Sequence, residues 1–206
     1  MGFGLLFCGY ITLLFFKVLP PAMAVGAYLM YRGFKRLSIY GKPFVYAGNL
    51  AAALGVYDVL FTAIWLGRLF GLFEELLSNR IFVLCDDILY YALLLAFHIA
   101  LYAALESMAK ECGYEKGLKK VRFARVLTAM FYILTAIHMP LSYLTVRSYL
   151  PLACLICQLA WYIYTAILLY GFYMRITTDE ILEDEEKKLA EYAAKRAGKT
   201  RGTPRR

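Results

Sequence analysis

Charged residues are scarce in this sequence, and so are the residues that build most catalytic and metal sites. Asp, Glu, Lys and Arg make up 18% of the 206 residues, and the chain has two histidines. It contains no Gly-rich nucleotide-binding loop, serine nucleophile elbow or zinc-protease motif. A mixed metal site drawing on Asp58, His98, His138 and Cys157 would lack the paired ligand spacing that metal sites use. We therefore expect no metal and no other cofactor.

The five cysteines do not form a disulfide framework, because most lie in or beside apolar runs, where a thiol behaves as a small hydrophobe. Cys154 and Cys157 have the C-x-x-C spacing of redox proteins. No second cysteine pair or charged activating residue accompanies them, so we interpret them as two small residues one helical turn apart.

Hydrophobic residues are abundant instead. They make up 62% of the chain, aromatic residues alone make up 17%, and the mean hydropathy is +0.58. In water this apolar surface would have to be buried, whereas in lipid it can face outward. Several apolar runs approach the roughly 20 residues that a helix needs to cross a bilayer. The sequence therefore predicts an all-α, polytopic transmembrane helical bundle over residues 1–174.

The number of spans depends on the first 31 residues. Four later segments predict clear spans, at 44–66, 81–105, 124–146 and 149–174. Residues 2–16 and 18–31 are each short, and Lys17 and the Pro20-Pro21 pair interrupt them; a straight helix cannot continue through two prolines. A hairpin gives six spans and one kinked helix gives five. We favour the hairpin, because a kinked helix would leave Lys17 in mid-bilayer at a cost of about 3 kcal/mol.

The distribution of Lys and Arg predicts the orientation. Loops on the cytoplasmic side of a membrane carry the excess of these residues. The connections between spans on one side of the predicted bundle contain only four of these residues, Lys17, Arg68, Arg80 and Arg147. The opposite set and the C-terminal tail contain the others, so we place that side and the C-terminus in the cytoplasm of a multi-pass cell-membrane protein. The net charge of +8 then indicates attraction of the cytoplasmic loops and tail to anionic lipid headgroups, rather than nucleic-acid binding.

Residues 175–206 form a charged tail. Thr177 and Glu180 have the spacing of a capping box, acidic residues follow, and basic residues come later, as the helix dipole favours. We expect a solvated cytoplasmic helix that becomes basic and disordered from residue 199. The alternative is a helix that docks on a partner, together with the basic loop Lys110–Arg125.

Polar residues inside the predicted spans are the candidate site, because charge in lipid is expensive and normally faces the bundle interior. At about 1.5 Å per residue, four of them fall about 12–16 Å below the outer edge, each in a different span. These predicted ligand or proton-pathway residues are Asp58, His138, His98 and Gln158. The alternative is that local hydrogen bonds satisfy each of them and fix the helix register.

Secondary candidates flank these four. Asn49 lies near the small-residue pairs Gly48/Ala52 and Ala51/Gly55, which permit close helix contact. Asp86 and Asp87 are predicted to cap and solvate the outer end of their helix. One face of that helix also carries a set of residues at offsets of four, seven and eleven, namely Asp87, Tyr91, His98 and Tyr102.

The opening MGFGLLFCGY and the later LMYRGFKRLSIYGKPF resemble uncharacterised small polytopic membrane proteins of Gram-positive (Firmicutes-type) bacteria. The resemblance covers about the first 50 residues. It implies a bacterial plasma-membrane location and a hairpin opening, and it carries over no activity and no functional residue.

Three classes of function follow. The first is a transporter-like or small-ligand-binding membrane protein that uses the embedded Asp/His layer. The second is a non-catalytic membrane scaffold or subunit of a larger complex, with a membrane-protein partner or a second copy of the chain. The third is an intramembrane enzyme, either thiol-redox or metal-dependent. We predict no catalytic residues.

Overall fold

The computed structural model describes residues 2–13, 19–74, 78–143 and 149–200, and within these ranges it leaves out the side chains of 69, 139–143 and 176–200. Lys17, Arg147 and the end of the tail from residue 201 therefore lie outside the described residues. The helices are α1 (Gly2–Leu13), α2 (Pro20–Leu37), α3 (Lys42–Leu69), α4 (Arg80–Glu111), α5 (Glu115–Tyr143) and α6 (Leu150–Thr200). A single 3-10 turn, Ser38–Tyr40, joins α2 to α3.

Four of these helices contain segments long and apolar enough to cross a membrane: Lys42–Arg68, Arg80–Glu111, Glu115–His138 and Leu150–Arg175. Much of their apolar surface faces outward. Val56 and Leu60 of α3, for example, are 63% and 61% exposed. The predicted all-α class is confirmed, and these four segments overlap the four later predicted spans. That they cross a membrane, and that the chain has six spans, stay predictions.

The first two helices pack against each other in opposite directions, and glycines make their close contact. A Cβ built on Gly9 would lie 2.6 Å from the carbonyl oxygen of Gly26, and one on Gly33 would lie 2.9 Å from that of Gly2. Only glycine permits this approach of two backbones. Because residues early in α1 meet residues late in α2, the opening is a hairpin and not a single kinked helix.

The third helix packs on α2 through the small residues that the sequence singled out. A Cβ on Gly48 would lie 3.1 Å from the Cβ of Phe34, and one on Gly55 would lie 3.3 Å from the Cβ of Ala27. Ala51 is fully buried between them. The expected close contact at this small face is confirmed.

The remaining helices complete the bundle, with α4 the most buried of the four long ones. On one side of α6, Phe172 stacks on Phe3 of α1 with ring centroids 6.0 Å apart; on the other, Trp161 stacks on Phe131 of α5 at 5.0 Å. At one end of the bundle, the guanidinium of Arg175 lies 5.2 Å from the ring centroid of Tyr114. This end also carries the turns between α2 and α3 and between α4 and α5, which we call the basic turns because Lys and Arg residues of the adjoining helix ends flank them.

Two predictions about the charged segments were wrong. The expected loop Lys110–Arg125 is mostly helical, because only residues 112–114 separate α4 from α5, and Gly113 adopts a φ of +62° in that turn. Glu106 of α4 pairs with Arg125 of α5 at 2.5 Å, which joins the two helices, and with Lys110 of its own helix at 2.8 Å. In the tail, no new helix begins at Thr177, since α6 continues without a break from Leu150 to Thr200.

Candidate functional site

His98 lies at the centre of the bundle and is fully buried. Its Nδ1 is 2.8 Å from the carbonyl oxygen of Leu94, and its Nε2 is 2.9 Å from the hydroxyl of Tyr10. The carbonyl can only accept, so Nδ1 carries the hydrogen, and in the neutral ring Nε2 accepts from Tyr10. Both ring nitrogens are therefore used within the protein.

Aromatic rings enclose His98 on the sides that its hydrogen bonds leave open. The ring of Trp161 is nearest, with centroids 4.4 Å apart, followed by Phe97 at 5.2 Å and Tyr162 at 6.0 Å. Trp161, Phe97 and Tyr162 are all buried. This packing fixes the position of the His98 ring between α1, α4 and α6.

A second buried group of hydroxyls lies one turn further along α4, around Tyr102. Its hydroxyl accepts from Nε1 of Trp161 at 2.8 Å and lies 3.2 Å from the Thr128 hydroxyl, which donates to the Ala124 carbonyl at 2.8 Å. The Thr165 hydroxyl, 2.8 Å away, donates to the Trp161 carbonyl and so accepts from Tyr102. These contacts join α4, α5 and α6 at one point.

A tyrosine of α3 is bonded to an acidic residue of α4, and we name Tyr57, Asp58, Asp86 and Tyr90 the carboxylate cluster. The Tyr57 hydroxyl donates to Oδ1 of Asp86 at 2.6 Å, and the Tyr57 ring packs on Tyr90 with centroids 5.7 Å apart. Asp58 follows Tyr57 in the chain and is 2% exposed. Tyr57 therefore joins α3, at the position of the buried Asp58, to Asp86 of α4.

Asp86 is the member of this cluster that sequence reasoning missed. The start of α4 is capped by Asn79, whose Oδ1 accepts from the backbone N–H of Ile81 at 2.9 Å and of Phe82 at 3.4 Å. The prediction that Asp86 and Asp87 cap this helix was therefore wrong. A signal was present, because Asp86 and Tyr90 are four residues apart and share a helix face.

The structure places the four predicted layer residues in different surroundings. His98 is bonded to Tyr10 and Leu94, while Asp58 lies beside Tyr90, which is eight residues and about 12 Å from His98 along α4. His138 on α5 and Gln158 on α6 are half-buried. The proposed pairing of Asp58 with His138 stays a prediction.

The secondary candidates also separate. Asn49 is exposed on α3, so it faces away from the bundle interior. Asp87 and Tyr91 are half-buried, and the backbone carbonyl of Tyr91 accepts from the Tyr132 hydroxyl at 3.1 Å. Tyr102 is buried at the hydroxyl group described above.

Within the described residues, no group of three or more His, Cys, Asp or Glu side chains has the arrangement of a metal site. Cys154 and Cys157 are free thiols, both half-buried on α6.

Comparison of the chain with protein-family models, with curated protein sequences and with solved structures finds no match.

Proposed function

We propose that this chain is a multi-pass protein of a bacterial cell membrane that binds a small polar or cationic ligand at the carboxylate cluster, in a transporter-like role. The observation that carries the proposal is the 2.6 Å bond from the Tyr57 hydroxyl of α3 to Asp86 of α4, because Tyr57 is the chain neighbour of the buried Asp58. The cluster contains carboxylates, which accept hydrogen bonds, and hydroxyls, which donate or accept them. Recognition of a polar ligand requires both kinds of group.

Energetic cost supports a functional role for these carboxylates. A carboxylate within the span of a membrane helix costs on the order of 2.5–3.5 kcal/mol, so such residues are rare and normally mark ligand or ion pathways. Here Asp86 of α4 accepts a hydrogen bond from Tyr57, and the buried Asp58 is the next residue after Tyr57 on α3. Two negative groups favour a ligand with an amine or another cationic group.

The position of the cluster supports entry from outside the cell. Asp86 lies six residues, about 9 Å, from the beginning of α4 at Arg80, at the end of the bundle opposite Tyr114 and Arg175. The basic turns lie at the Tyr114 end, which the positive-inside rule assigns to the cytoplasm. In this arrangement α1 and α2 both cross the membrane, giving six spans with both termini inside.

A thermal-unfolding screen tests the proposal. Purified protein in detergent is heated with panels of amines, amino acids, sugars and inorganic cations, because a ligand that binds the folded state raises the unfolding temperature. We expect at least one compound to stabilise the wild type but not Asp86→Asn, which keeps the size and removes the charge. Glu115→Gln, an exposed carboxylate change at the other end of the bundle, is the matched control. Equal stabilisation of all three proteins, or of none, overturns the proposal.

A second candidate function is that of a subunit or scaffold in a larger membrane complex, and α6 favours it. This helix has 51 residues, and its last 25 extend beyond Arg175, the end of the apolar segment. Such an extension reaches about 37 Å and offers a charged surface to a partner. Cross-linking in native membranes is carried out with the full chain and with a chain that ends at residue 175. A tail that docks on a partner is expected to give neighbours that the shortened chain does not. Recovery of the same neighbours by both overturns the docking role of the tail.

A further inference from the structure

An apolar groove of about 340 Å³ runs between α2 and α3 on the outer surface of the bundle. Its floor is made of small residues, among them Ala24, Ala52 and Gly55, and its walls include Tyr28 and Val59. The groove exists because small side chains lie at the bottom of the seam between α2 and α3, while larger ones stand on either side of it. Val59 is 58% exposed and Tyr28 is 57% exposed, so the groove opens toward the surroundings of the bundle.

A basic side chain lies at one end of this groove. Arg32 is four residues after Tyr28 on the same face of α2, and its guanidinium lies 6.0 Å from the centroid of the Tyr28 ring. Arg32 is exposed, and it lies toward the end of α2 that carries Lys35 and Arg36. The apolar groove therefore has a cation at the end that faces the basic side of the bundle.

The chemistry of the groove indicates its occupant. Apart from the tyrosine hydroxyls its lining side chains are apolar, and the Arg32 guanidinium lies beside Tyr28 at one end. A phospholipid combines a hydrocarbon chain for the apolar lining with a phosphate for the cation, so its polarity and charge match this arrangement.

We propose that the groove binds one acyl chain of an anionic phospholipid, whose phosphate contacts Arg32. The chain lies over the small residues of the floor, and the guanidinium supplies paired donors to the phosphate oxygens. A second apolar groove, of about 430 Å³, lies between α1 and α6. Neither groove has a charged side chain in its lining, and Arg32 is linked to the first one by its contact with Tyr28, so the second groove provides a comparison site.

Native mass spectrometry of the purified full chain tests this inference with dioleoyl phosphatidylglycerol and dioleoyl phosphatidylcholine. A basic residue near the headgroup is worth about fivefold in binding, so the wild type is expected to prefer phosphatidylglycerol by about that factor. Arg32→Gln is expected to remove the preference by weakening phosphatidylglycerol binding more than phosphatidylcholine binding, because the choline group of the latter already offsets its phosphate charge. Ala52→Leu, which fills the floor, is expected to weaken binding of both lipids.

Two further variants complete the experiment. Ala24→Leu fills the same groove from α2 and gives the same readout if Ala52→Leu does not fold. Ala166→Leu alters the second groove between α1 and α6 and is expected to keep the phosphatidylglycerol preference. Equal binding of the two lipids by the wild type overturns the proposal, as does unchanged binding in the folded groove-filling variants. A dimer that disappears in Ala52→Leu assigns the groove to a second copy instead.

Discussion

The hydroxyl of Tyr10 lies 2.9 Å from Nε2 of His98, so the N-terminal hairpin is bonded to α4 at the centre of the bundle. Helix α1 has only 12 residues, and a helix of that length has little stability of its own. Its position therefore depends on contacts with its neighbours: the glycine contact with α2, the aromatic contacts with α6 and this one buried hydrogen bond.

Replacing Tyr10 with phenylalanine is expected to destabilise the protein by about 1 kcal/mol, because the His98 ring loses its Nε2 partner in a buried setting. The free energy of unfolding in detergent measures this loss. Tyr46→Phe removes a hydroxyl that is exposed on α3 and is the matched control, with no expected change. Equal stability of the two variants would show that the Tyr10 bond does not hold α1 in place.

Gly9→Ala is expected to destabilise the hairpin by about 1–3 kcal/mol, since its Cβ would lie 2.6 Å from the Gly26 carbonyl oxygen and the backbones must separate. Gly171→Ala on α6 is the matched control, because a Cβ there meets no atom within 4 Å. Thermal unfolding of both variants gives the comparison. Equal unfolding temperatures of Gly9→Ala and Gly171→Ala would contradict this packing.

The sequence predicted the helices well because hydropathy and length govern which segments can cross lipid, and it found the small residues at which α3 meets α2. It did not predict the neighbours of each side chain. Counting depth from assumed membrane edges placed His98 and Asp58 in one layer, whereas Tyr57, the chain neighbour of Asp58, packs on Tyr90, eight residues and about 12 Å along α4 from His98. Asp86 was assigned to a helix end because that count set the outer edge at Asp87, although α4 begins at Arg80 and is capped by Asn79.

The hydroxyl of Tyr102 is expected to couple energetically to that of Thr165, 2.8 Å away on α6. A double-mutant cycle with Tyr102→Phe and Thr165→Val should give a coupling free energy of about 0.6–1.7 kcal/mol, the range that buried hydrogen bonds between membrane helices show. Chemical unfolding of the four proteins provides the values. Strictly additive effects of the two substitutions would mean that this bond does not stabilise the contact between α4 and α6.

Cys112 reports the orientation of the bundle, because it is an exposed thiol in the turn between α4 and α5. With the other four cysteines replaced, a membrane-impermeant maleimide is expected to label it only after the cells are permeabilised. Tyr149→Cys in a cysteine-free chain is the control at the opposite end of the bundle, where the side chain is 90% exposed, and it should react in intact cells. The reverse pattern of labelling would invert the proposed orientation and place the carboxylate cluster inside.

Calorimetric titration of the best ligand from the thermal screen into four purified proteins tests the role of the carboxylate cluster most directly. The account predicts that Asp58→Asn and Asp86→Asn each weaken binding at least about tenfold, because each removes a charged partner of the ligand. Glu115→Gln is expected to bind as the wild type does. Equal dissociation constants for all four proteins would contradict the assignment of the ligand site to Asp58 and Asp86.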